Sequence, residues 1–228
     1  MFEPNKCLFI LPVSVFLLSI ALSVSAADDF MEKYRAYQAE VSAGKHSFDT
    51  RDYAKAIEHY TKAIDMSPFE VSHYYQRGVA FYKTGKDKEA LRDFDKVLIL
   101  DQRRIGAYVY RGLCREKSGQ YVDARKDYTT ALSMNPKDAN VHNNLAWLYA
   151  TAKDDKVKDN MKALEHAVKA SEISGEKNAE ILDTLAMVYF MNGNVKEAIE
   201  AERKALKLEP ENERFKGNLK KYEGVKSD

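Results

Sequence analysis

The chain has 228 residues, 45% of them hydrophobic, and its 36 basic and 35 acidic side chains leave a net charge of +1. The two signs are interspersed and basic runs are as short as Arg103-Arg104 and Lys220-Lys221, so the basic face of a nucleic-acid binder is not expected. Cys7 and Cys114 are the two cysteines, and only Cys114 lies beyond residue 26, which excludes an internal disulfide in a chain cleaved there. Cys7 to Val24 carries no charge and follows Lys6; Val24-Ser25-Ala26 closes it with a small-residue cleavage signal. Residues 1–26 therefore read as a secretory signal peptide, and the rest as exported, periplasmic or secreted. The alternative is an uncleaved N-terminal anchor with the rest on the same side, because the apolar stretch is close to the shortest that spans a bilayer. Residues 27–36 read as a lead-in, with the first helix expected to start near Asp28 or Asp29.

From there the sequence repeats itself. Gly44, Gly78, Gly112 and Ala146 recur at a step of 34, as do Ala56, Ala90 and Ala124, and Pro68, Gln102 and Pro136. A fixed period of this size marks a repeat architecture. In residues 71–104, Tyr74, Gly78 and Phe81 form one helical stripe, Thr84-Gly85 breaks it, and Ala90, Phe94 and Val97 form a second. Each unit thus reads as helix, short turn, helix. Glycine inside a helix costs about 1 kcal/mol against alanine, so its recurrence implies a close approach between helices, with Tyr60, Phe94 and Tyr128 filling the remaining space. The units are 37–70, 71–104, 105–138, 139–177 and 179–212; the fourth is lengthened by about five residues near Thr151–Asn160. Asn135-Pro136 reads as a helix cap followed by a first-position proline. Residues 213–228, with Phe215 and Leu219 on one side, read as a capping helix and tail.

These residues resemble the tetratricopeptide-repeat family, whose first helix carries an aromatic–Leu–Gly–Tyr pattern and whose second carries Ala–Phe–Ala–Pro. Leu145-Ala146-Trp147-Leu148-Tyr149 matches it most fully, and Leu185-Ala186, Tyr189, Gly193, Ala198, Ala205 and Pro210 repeat it. Departures are Arg115 and Glu202 where aromatics are usual, and Gly175 where proline is usual. The resemblance implies an all-α fold: a right-handed α-solenoid (superhelix) of helix-turn-helix repeats with a C-terminal capping helix. It also implies a concave groove lined by the first helix of each hairpin. Its phases fall on Val41, Lys45 and Phe48; Tyr75, Val79, Tyr82 and Lys83; Val109, Leu113, Glu116 and Lys117; Asn140, Asn143 and Trp147; and Asp183, Met187 and Phe190. For Tyr75, Tyr82 and Trp147 two readings stay open, groove anchor or packed core. The family's carboxylate-clamp mode is disfavoured, since Val41, Val79, Val109 and Leu113 hold clamp phases and Lys45 alone does not make a clamp.

No phosphate loop, dinucleotide fingerprint or nucleophile elbow occurs in the sequence. His46, His59, His73, His142 and His166 do not fall at metal-ligand spacing on one helix, and Asp154, Asp155 and Asp159 read as a solvated turn. Cys114 reads as a small buried side chain. The expectation is a non-catalytic, cofactor-free, metal-free scaffold of the cell envelope that binds a protein or peptide in the groove. No nucleic acid and no membrane insertion after leader removal are expected. The alternative is a self-associating structural component, a homo-oligomer.

Overall fold

The computed structural model describes residues 13–225, so residues 1–12 of the proposed leader and 226–228 of the tail lie outside the described residues. Among the described residues there are eleven helices and no strand. They divide into two compact units at His73/Tyr74.

The first unit is a hairpin of α1 (Val13–Asp49) and α2 (Tyr53–Met66). The expected start near Asp28 is corrected: α1 runs unbroken from Val13 past Ala26 and through the lead-in, because no glycine or proline interrupts residues 13–43. Among the described residues no helix is long and apolar enough to cross a membrane. Arg51, with φ at 62°, turns the chain, and Asp52 caps α2 by accepting the Lys55 N–H at 3.2 Å. Buried Tyr60 lies against Gly44. His59 and Glu40 pair at 2.6 Å, and Tyr37 and His73 share a hydrogen bond of 2.7 Å.

Helix α3 (Val71–Lys83) leads into the second unit, which continues with α4 (Asp87–Leu100), α5 (Ile105–Lys117), α6 (Tyr121–Met134), α7 (Ala139–Thr151), α8 (Asn160–Ser174), α9 (Ala179–Met191), α10 (Val195–Leu208) and α11 (Glu213–Glu223). From α4 onward each helix packs on the next, and α7 also meets α9. This is an all-α solenoid of hairpins. The recurrent glycine has the expected use. A Cβ at Gly112 would stand 2.5 Å from the Tyr128 ring, and one at Gly78 would stand 2.9 Å from the Phe94 ring. The ring of a hairpin's second helix occupies the space that the first helix leaves empty. Phe94 then stacks on Tyr110 of the next hairpin at 5.6 Å, which joins the two.

Buried ion pairs follow the same step. Arg77 holds Asp93 through two N–H donors at 2.8 Å, and Arg111 and Arg115 both hold Asp127. Arg115 therefore replaces the usual aromatic with a charged tie. The reading of Asn135-Pro136 is corrected. Asn135 ends α6, its N–H reaching the Ala131 carbonyl, and Pro136 follows where it stops the helix; α7 is capped by Asp138, which accepts from Asn140 and Val141. The long α7–α8 connection is folded rather than loose. Val157 is buried, the Asp159 N–H reaches the Tyr149 carbonyl at 3.0 Å, Asp154 accepts the Lys156 N–H, and Asp159 caps α8. At the C-terminus α11 caps the stack by burying Phe215 against Ala179, Leu182 and Ala205, and Tyr222 against Phe190 at 4.6 Å. Leu219 is half-buried beside them.

Candidate functional site

First helices of successive hairpins in the second unit line a cleft of about 350 Å³. Its wall is Tyr82 from α3, Leu113, Glu116 and Lys117 from α5, Asn143, Asn144 and Trp147 from α7, Glu180, Asp183 and Thr184 from α9, and Arg214 from α11. Helical spacing brings them together, since Asn143 and Trp147, and Leu113 and Lys117, are each one turn apart on a single face.

The lining is graded in polarity. Tyr82 packs edge-on against Tyr110 at 5.5 Å, and the Lys117 ammonium sits 3.9 Å over its ring. Trp147 leaves 41% of its surface open. Glu116 accepts the Tyr128 hydroxyl at 3.0 Å, and burial raises its pKa above the usual carboxylate value. At the other end Arg214 reaches Glu180 and, at 3.4 Å, Asp183, which also accepts from Asn218 at 2.7 Å. Burial raises Asp183 despite Arg214. Asn143 Oδ1 is buried in this wall without a hydrogen-bond partner.

Of the sequence-derived groove residues, Tyr82, Leu113, Asn143 and Trp147 line the cleft, with Glu116, Lys117 and Asp183. Tyr75 does not. Its ring lies between Phe94 at 6.2 Å and Tyr110 at 6.1 Å, beneath Arg104 at 4.5 Å, with its hydroxyl against Gly106. It is packing between hairpins. Val79 is corrected to core at 4% exposure. Val109 is half-buried against the central cluster, and Lys83 is exposed at the end of α3. Phe190 spends its ring on Tyr222 and on the Lys221 ammonium at 5.0 Å. In the first unit, Val41 and Phe48 are half-buried, Phe48 edge-on to Tyr53 at 5.5 Å, and Lys45 is exposed. Sequence reasoning missed Asn144, Glu180, Thr184 and Arg214. The three on α7 and α9 neighbour groove phases and were within reach of the pattern, whereas Arg214 lies beyond the last repeat, where the period gives no phase.

Other reactive groups are otherwise occupied. Burial pushes the Cys114 thiol up to about 12, which removes it as a thiolate nucleophile. His142 and His166, unrelated in sequence spacing, meet Nδ1 to Nδ1 at 2.9 Å, and His142 Nε2 faces the Pro136 carbonyl at 3.2 Å. A carbonyl only accepts, so Nε2 of His142 carries its proton and His166 Nδ1 donates to His142 Nδ1. Among the described residues no group of three or more His, Cys, Asp or Glu side chains is placed to hold a metal ion.

Three tetratricopeptide-repeat models match residues 41–105, 105–138 and 127–165, and the prolyl 4-hydroxylase peptide-substrate-binding domain model matches 158–227. The DnaJ homolog subfamily C member 7 of Mus musculus is 37% identical over 67 residues, which is 29% of this chain and 12% of that protein. The chain thus spans about an eighth of that curated relative. TTC0263, a thermophilic TPR protein of Thermus thermophilus, superposes with a TM-score of 0.65 at 20% identity, covering 83% of this chain and 100% of its own. YrrB, described as a TPR protein with an unusual peptide-binding site, superposes at 0.59 with 18% identity, covering 79% and 90%. At these identities the two structures attest the fold alone.

Proposed function

From a chain that belongs to the tetratricopeptide-repeat family, we infer a non-catalytic scaffold that binds a protein or peptide segment in the cleft between Tyr82 and Arg214. The observation that carries this is Trp147, 41% exposed in the cleft wall with Asn143 one turn before it. It offers the open aromatic surface that most often anchors an interface. The peptide-binding descriptions of the domain model matched at 158–227 and of YrrB agree with this reading. The uncharged stretch Cys7–Val24 and its Val24-Ser25-Ala26 ending support export, so the scaffold is assigned to the cell envelope, without cofactor.

Selecting peptides from a random library on the exported protein tests the cleft. Bound peptides should lose at least about tenfold in affinity on Trp147→Ala and on Asn143→Ala, with helicity by circular dichroism unchanged. Selected peptides that bind both variants as tightly as the parent would remove the cleft as the site.

One observation favours self-association as a second reading. In the first unit Phe30, 65% exposed, Tyr34 and Met66 are open around an apolar hollow, and Phe69 is 77% exposed. Large exposed apolar patches mark interaction surfaces. Sedimentation over a hundredfold concentration range decides it: a strict monomer eliminates a homo-oligomer.

A further inference from the structure

The fifth hairpin carries a buried acid that no protein donor serves. Glu202, on α10, is 0% exposed, and neither of its carboxyl oxygens has a hydrogen-bond partner. It occupies the phase at which earlier hairpins place Tyr60, Phe94 and Tyr128, so it faces the interior. Two helices pack on α10. From α9 it meets the buried Asp183, behind which stands Glu180; from α11 it meets Tyr222 and Arg214. Arg214 is spent on Glu180 and Asp183, and the Asn218 amide is spent on Asp183. An ionised carboxylate in such a place is among the costliest things a protein can bury. A proton on Glu202 donated to Asp183 removes the buried charge and gives one of its two oxygens a partner.

We propose that Asp183 and Glu202 share one proton that latches the C-terminal helix α11 onto α9 and α10, and that losing this proton loosens α11. Without it, two carboxylates stand together with Glu202 wholly sealed from water, and lifting α11 is what exposes Glu202. Because Arg214 forms one end of the cleft, loosening α11 also withdraws that wall. The electrostatics agree. Burial first, then the Asp183 carboxyl, push Glu202 up to about 8, against the lesser opposing pull of Arg214. The sign follows from linkage. An acid whose pKa is raised in the docked state holds its proton better there than when released. Docking therefore weakens with rising pH between the ordinary glutamate value and about 8, by up to about tenfold per pH unit, and levels off above. Acidification tightens this end of the molecule.

Amide exchange of residues 213–223 in the full chain, corrected for the intrinsic rate at each pH, reads the latch. Protection in α11 is expected to fall by up to about a few hundredfold from pH 5 to pH 8. In Glu202→Gln, whose amide can still donate to Asp183, one proton's worth of that slope should vanish. Equal slopes in parent and variant overturn the proposal. Titrating the Glu202 side-chain carboxyl carbon by NMR in the unaltered chain decides independently of how the variant folds. A midpoint raised clearly above the ordinary glutamate value supports the latch, and an ordinary or lowered one overturns it.

Discussion

Asp127 takes three N–H donors, two from Arg111 at 3.0 and 2.6 Å and one from Arg115 at 2.6 Å, while Arg111 also reaches the exposed Asp95 at 2.7 Å. The two aspartates look alike as contacts and differ in environment, and environment decides the magnitude. Removing a buried partner strands the charges it neutralised, so Asp127→Ala should lower unfolding free energy by about 3–5 kcal/mol. Asp95→Ala removes a pair that water already screens and should cost under about 1 kcal/mol. Urea unfolding of both variants checks the contrast; equal losses would mean that Asp127 is not holding two arginines. The tie was present in the sequence, since Arg77 and Arg111, and Asp93 and Asp127, keep the repeat step. Charged residues on a repeat protein read by default as solvated surface, and that default concealed it. Glu202 misleads in the same way: a charge in place of an aromatic suggests a stack that is ending, yet the side chain is sealed inside.

Within an element, one substitution can have either sign. Gly112→Ala in α5 drives a Cβ into the Tyr128 ring, whose hydroxyl is held by Glu116, so the ring cannot swing away freely. It should destabilise by about 1–3 kcal/mol. Gly217→Ala in α11 meets nothing within 4 Å and should stabilise by about 1 kcal/mol through helix propensity. Thermal melts of the two variants should move in opposite directions; a neutral Gly112→Ala would show that the ring has room. The hairpins were legible because a packing need repeated at one phase outweighs everything local. The cleft was legible only in part. Phase places Tyr75 and Tyr82 alike on the first helix, but Tyr75 meets Gly106, Phe94 and Tyr110 while Tyr82 reaches the open side. That difference depends on the next hairpin, which no single helix encodes. The Asn135-Pro136 turn was misread because a cap residue before proline is equally at home ending one helix or starting another.

At the scale of the whole chain, buried titratable groups give opposite responses to acid in different places. Burial, then His142, depress His166, which donates to His142 on α7. In the first unit burial depresses His73, hydrogen-bonded to Tyr37. A base depressed by folding binds its proton better when unfolded, so its contribution is present above the ordinary histidine value and is lost as pH falls through the folded one. Both histidine sites should therefore loosen on going from pH 7.5 to pH 5. Two protonated imidazoles at 2.9 Å would also point N–H at N–H. The α11 end should tighten over the same interval, because Glu202 is an acid raised by burial. Rate-corrected amide exchange at the two pH values should show α7 and α8 gaining exchange, α11 losing it, and α5 and α6 nearly unmoved. His166→Gln should abolish the first change and leave the second intact. A uniform response along the chain would mean that pH acts through net charge. A divided one means that each hairpin is governed by the protons buried beneath it, as a fold whose hairpins touch mainly their neighbours allows.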